Sequence, residues 1–138
     1  MNSSYVFDSW ALIALIQAEE PAAARVKDLL EKAITGDVTL YFSLLNLGEL
    51  FYIIGRRRGK VETNQIIEKI KSLPINILSV DERFVFTAAE FKMNFSIPYA
   101  DAFCAAAAKH VDGTLLTGDS ELFALIKEIK IEPLFREK

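Results

Sequence analysis

One cysteine and one histidine are all that this chain carries, and those two scarcities remove whole classes of chemistry. Cys104 has no partner for an internal disulfide. It sits in an Ala-rich apolar stretch where free cysteine behaves as a small buried hydrophobe, so a reducing compartment and a structural role are expected. His110 alone cannot build a zinc site, which draws on several nitrogen and sulfur ligands. No uninterrupted apolar run approaches the roughly 18 residues of a spanning helix. The N-terminus MNSSYVFDSW also lacks a basic region ahead of a cleavable apolar one, so a cytoplasmic chain without a membrane partner is expected. An excess of positive charge is missing too. With 16 basic and 19 acidic residues, formal charge −3 and pI near 5.2, the chain cannot hold nucleic acid by bulk charge, and any polyanion must be gripped locally.

What is present is apolar and regular. Hydrophobic residues make up 51% of the 138, ten of them Phe, enough for one domain over residues 1–138 with a substantial core. Residues 4–7 (SYVF) read as a strand ending at Asp8. A helix follows through Trp10, Ile13, Leu15 and Ile16. Pro21 suits a helix's first turn, and Val26, Leu29, Leu30, Ala33 and Ile34 recur as one apolar face that closes at Gly36. Residues 38–42 (VTLYF) predict a second strand and Ser43 an N-cap. Leu47, Leu50, Phe51 and Ile54 then stripe a helix ending near Gly55 or Gly59. Further on, the pattern predicts a helix over 62–73, a strand over 75–80, a helix from Asp81 to about Asn94 and another opened by Pro98. A strand over 114–117, a short helix through SELFALIKEI and an edge strand over 130–134 complete the chain. No repeat, linker or low-complexity tract interrupts it.

Short apolar strands alternating with helices imply a single-domain α/β three-layer sandwich around a mostly parallel sheet of about five strands. Right-handed crossovers would send every strand's C-terminal end to one rim, where ligands of open α/β sheets bind. Asp8 and Asp119 both follow strands and would emerge there. Glu49 rides on the helix after the second strand, with Ser43 and Asn46 at three-residue steps before it on the same side. Asp101 lies in the first turn of the helix after Pro98, whose small residues would let it pack closely and keep that carboxyl near the rim. Each acid taken singly has a plainer explanation. Asp8, Asp101 and Asp119 could cap or favour helix starts, and Glu49 could be a solvated surface residue. Four such coincidences at one rim would gather charges that repel, unless a cation offsets them. An acid cluster without His or Cys ligands suits Mg²⁺ or Mn²⁺.

The four acids in order, in VFDSW, SLLNLGEL, PYADAF and LLTGDSEL, resemble the PIN domain over essentially the whole chain. The nearest likeness is to VapC-like toxins of prokaryotic toxin–antitoxin pairs. The resemblance implies a Mg²⁺- or Mn²⁺-dependent ribonuclease with Asp8, Glu49, Asp101 and Asp119 as its acidic site. It also implies that Ser9, Asn46 and Thr117 are small polar supports, and that RNA is the substrate. A cognate antitoxin and a homodimer are the implied partners, the dimer being suggested as well by apolar residues of the early helices beyond what one sheet face needs. By this reading Asp8 and Asp101 are first choices as direct ligands, with Glu49 and Asp119 on a second ion or on waters. Trp10 departs from the pattern as a bulky residue close behind the first acid, which bears on the width of the pocket.

Two rival classes compete. A phosphohydrolase using Asp8 as nucleophile would want a second Asp two residues on, where Trp10 stands. A PIN-fold module that only binds RNA or oligomerises would have no use for four intact acids. The run RRRGK at 56–60 complements a helix C-terminus and, lying toward the end of the helix away from the rim, is set aside as a site. Phe84, Phe91 and Phe95 are expected in the core.

Overall fold

The computed structural model describes residues 3–137. Five strands form one all-parallel sheet: β1 (Ser3–Phe7), β2 (Val38–Ser43), β3 (Asn76–Leu78), β4 (Thr114–Thr117) and β5 (Lys130–Pro133), in the order β3-β2-β1-β4-β5. Helices α1 (Ser9–Ile16), α2 (Ala22–Ile34), α3 (Leu44–Ser72), α4 (Glu82–Asn94) and α5 (Tyr99–Val111) connect them. Strand alternation divides the core in two. Phe7 and Leu116 face α1, α2 and α3, whereas their neighbours Val6 and Leu115 face α4 and α5. The result is the helix–sheet–helix sandwich expected from the sequence. Among the described residues no helix is long and apolar enough to cross a membrane.

The direction of chain growth reverses between β1 and β4, which lie side by side with Val6 opposite Leu115 and Phe7 opposite Leu116. A cleft opens beyond strand ends at such a reversal. Asp8 and Asp119 stand just past those two ends. Helix α5 is pressed against the sheet there by Ala102 and Ala105 to Ala108, all at most 1% exposed, as small residues permit.

Several elements differ from expectation for local reasons. Helix α1 buries Ala11, Leu12 and Ala14, leaving Trp10, Ile13, Leu15 and Ile16 half-buried; its face is turned from the predicted one. Ile34 ends α2 in solvent. The two helices predicted either side of Gly59 are both present, as expected: within Leu44–Ser72 they meet at a kink where Gly59 leaves the helical conformation with φ 78°, a backbone open to glycine. Strand β3 is only three residues long, matching the three residues of β2 it pairs with. The predicted helix through SELFALIKEI is a 3₁₀ turn over Ser120–Leu125: Leu122 and Ile126 donate to carbonyls three residues back. Phe84 and Phe91 are buried and Phe95 packs against them; Cys104 is buried, while His110 is exposed beside the Phe84 ring.

Candidate active site

Asp8 is the hinge between β1 and α1. Its Oδ1 accepts from the Ala11 amide at 2.9 Å and caps the helix, while its Oδ2 accepts from the Thr117 hydroxyl at the end of β4. That same hydroxyl oxygen accepts from the Asp119 amide at 2.9 Å, so Thr117 ties the two strand-end acids together. Asp119 in turn caps the 3₁₀ turn through Glu121 at 3.0 Å. Capping and site membership are therefore not alternatives for Asp8 and Asp119. Their caps engage one carboxylate oxygen each, and the fold they cap is what aims them.

The second wall comes from α3. Ser43 caps it by accepting from the Asn46 amide. Glu49, one turn on, has its Oε1 held by Ser9 at 2.6 Å and by the Asn46 side-chain amide at 3.3 Å. Asn46 also donates to the Ala100 carbonyl at 3.1 Å, next to Asp101. Three elements that are far apart in the chain are thereby pinned to one another.

Asp101 is the least comfortable member. It is 9% exposed, its Oδ2 is buried with no hydrogen-bond partner, and its side chain meets that of Asp119. Burial first, then Asp119, Asp8 and Glu49, push its carboxyl up to about 8. Burial likewise raises Asp8 to about 7 against the hydrogen bonds from Thr117 and Ala11, which favour the charged form. Asp119 and Glu49 add to both shifts, which places all four carboxylates in one electrostatic neighbourhood. The Cys104 thiol beneath is pushed up by burial and by the same four acids.

Every residue predicted for the site is thus at the same rim: Asp8, Glu49, Asp101 and Asp119 as acids, Ser9, Asn46 and Thr117 bonded to them or between them. Among the described residues, no three acid, His or Cys side chains form a ready-made cage for one ion. A hydroxyl or amide contact already engages Asp8 and Glu49. Mg²⁺ makes no such demand, since it uses one or two carboxylates and keeps several waters. An all-oxygen donor set with one unpartnered buried carboxylate oxygen fits a hard divalent cation.

Trp10 does not fill this space. Its ring lies against Gly118, where an added Cβ would come within 2.2 Å of it, and Arg136 stacks over the ring at 5.3 Å. Sequence could not pair a residue at 10 with a glycine at 118; the only signal was that glycine directly before an acid at a strand end. Gly118→Ala should lower the melting temperature, consistent with an overpacking cost of about 1–3 kcal/mol. Trp10→Leu, which vacates the ring position, should make the alanine tolerable. An unaltered melting temperature for Gly118→Ala alone would show that the ring is not held there. Arg57, in the run set aside above, lines a surface cavity of about 610 Å³ with Trp10, Ile13, Ile53 and Arg136.

Comparison with known proteins agrees with the fold. No curated protein sequence matches this one significantly. In the Rickettsia felis VapBC2 structure bound to a DNA fragment from its promoter, a chain matches with TM-score 0.75 and 17% identity, over 96% of this chain and 99% of that one. A toxin–antitoxin complex from Klebsiella pneumoniae gives 0.70 at 16% identity, over 96% and 99%. Mycobacterium tuberculosis VapC20, a toxin cleaving the sarcin–ricin loop, gives 0.62 at 16%, over 80% and 86%. At such identities the likeness is one of fold. The sequence profile of the PIN domain matches residues 5–128 of the 138, and this chain belongs to the PIN domain family.

Proposed function

We propose that this protein is a Mg²⁺- or Mn²⁺-dependent endoribonuclease, the toxin of a type II toxin–antitoxin pair, with Asp8, Glu49, Asp101 and Asp119 as its catalytic and ion-binding acids. The observation that carries the reading is the buried Asp101 carboxyl, unpartnered at Oδ2 and crowded by three other acids. A packed apolar scaffold gathers such groups at a cost unless a counter-charge joins them. Family membership supports the same conclusion.

Asp8 and Asp101 would hold the ion, the first at a strand end and the second in the first turn of a helix, both on rigid elements. When bound, the ion supplies Lewis acidity toward a phosphoryl oxygen and a water of lowered pKa. Glu49 has Oε1 occupied by Ser9 and Asn46, which leaves Oε2 to take the proton of a water attacking phosphorus. Asp119 orients water or a second ion. Ser9, Asn46 and Thr117 fix the acids in rotation. An Asp8 nucleophile is a poorer reading, because such chemistry would want a second Asp two residues on, where Trp10 stands.

RNA as substrate and an antitoxin as partner rest on the family and on the toxin–antitoxin complexes among its structural neighbours. A homodimer is supported by Leu44 and Tyr52, exposed apolar residues two turns apart on α3, and by Tyr99 at the start of α5. The test incubates the purified chain with single-stranded and structured RNAs and Mg²⁺, Mn²⁺ or chelator. Cleavage should require the ion and stop with chelator. Cleavage that survives chelation would overturn the mechanism, and ion-independent RNA binding without cleavage would make the chain a binding module instead.

A further inference from the structure

Ser43 does more at the head of α3 than cap it. Both Ser43 and Asn46 are completely buried, so their polar atoms must find partners within the protein. A hydroxyl has one hydrogen and two lone pairs. The Ser43 oxygen accepts from the Asn46 amide N–H at 3.1 Å, which leaves its hydrogen for Asn46 Oδ1 at 2.6 Å. On the far side of the same side chain, Nδ2 faces Glu49 Oε1 at 3.3 Å and the Ala100 carbonyl at 3.1 Å, two acceptors for its two hydrogens. A flipped amide would aim Oδ1 at both acceptors.

We propose that Ser43 is a positioning residue: its hydroxyl locks the Asn46 amide in the one orientation that holds Glu49 and ties it to the Ala100–Asp101 turn of α5. The inference rests on reading Glu49 as part of the ion-binding acid set. Ser9 cannot substitute for this hold. Its single hydrogen is within reach of both Glu49 Oε1, at 2.6 Å, and the Asn46 carbonyl, at 3.2 Å, and serves one at a time. The Asn46 contact is the one that also fixes α3 against α5.

Capping and positioning separate by substitution. Glycine is tolerated at a helix N-cap with little loss but has no hydroxyl, whereas threonine keeps both functions. Mn²⁺ affinity by calorimetry, the melting temperature, and kcat and KM on RNA are measured for Ser43→Gly, Ser43→Thr, Asn46→Ala and the Ser43→Gly/Asn46→Ala double variant. Ser43→Gly should weaken Mn²⁺ binding about tenfold, the low end for residues that orient ion ligands, and lower kcat with KM unchanged. Ser43→Thr should recover both, and adding Ser43→Gly to Asn46→Ala should change the affinity little further. Wild-type Mn²⁺ affinity in Ser43→Gly, or full additivity in the double variant, overturns the relay. Wild-type affinity in Asn46→Ala also overturns the relay, whereas wild-type affinity in Glu49→Gln, measured alongside, refutes instead the place of Glu49 in the ion site.

Discussion

Asp101→Asn should abolish RNA cleavage while raising the melting temperature of the ion-free protein at pH 8. The two effects share one cause. Asp101 is buried, has an oxygen without a partner, and repels three neighbouring carboxylates, which is why its carboxyl titrates at about 8. Asparagine is nearly the same shape, carries no charge and can donate to Asp119, so the ion-free fold is relieved of a strained group. Shifts of this kind are worth about 1.4 kcal/mol per unit. Discounted for the coupling among four acids, the gain is on the order of 2–4 kcal/mol, or roughly 5–15 °C in a chain of this size. Activity should move the other way. Residues that merely orient ion ligands cost about 10–100-fold when mutated, and a direct ligand should cost more. A site that is costly to the fold and needed for the chemistry is the usual form of this conflict. Thermal melts and cleavage rates on the same preparation check it. A variant that loses both stability and activity would show that Asp101 is only a structural cap.

How much of this was legible in the sequence follows from the range of the interactions concerned. Asp8 and Asp119 were readable because a short apolar run followed by a polar turn marks a strand's end, and a parallel sheet sends all such ends to one rim. Asn46 and Glu49 were readable because three-residue steps keep side chains on one side of a helix. What stayed hidden were partners across the sheet. Nothing local tells Thr117 that its hydroxyl will lie between Asp8 and the Asp119 amide, or Trp10 that it will rest on Gly118. The turned face of α1 has the same origin. Its periodicity allows more than one inward side, and packing against α2 and α3 chose Ala11, Leu12 and Ala14 over the larger residues. The 3₁₀ turn after Asp119 is a further case. Its apolar residues Leu122 and Leu125 are three apart, a spacing that suits a 3₁₀ or an α-helical turn equally.

Raising the pH from 5 to 8.5 without divalent ions should lower the melting temperature of the native sequence, and adding Mn²⁺ at pH 8.5 should restore it. Asp8 titrates at about 7 and Asp101 at about 8 in the fold, both raised chiefly by burial, against about 3.9 for an aspartate in an unfolded chain. Below about pH 4 both states hold these protons and the contribution to stability is complete. Between about 4 and 8 the unfolded chain releases protons that the fold retains, so stability falls across that window and levels off above it. An ion that binds the ionised cluster opposes the loss. At a hundred times its dissociation constant it adds about 2.7 kcal/mol, and because it competes with protons, its effect at pH 5 should be far smaller than at pH 8.5. Asp101→Asn should reduce the pH slope by about half, leaving the share due to Asp8, and blunt the response to Mn²⁺ at the same time. Differential scanning calorimetry at four pH values, with and without Mn²⁺, reads all of this directly. A native-sequence protein whose melting temperature rises from pH 5 to 8.5 in chelator, or which Mn²⁺ stabilises equally at both ends of that range, would mean that the acids at this rim are not the charge-strained cluster from which the function is argued.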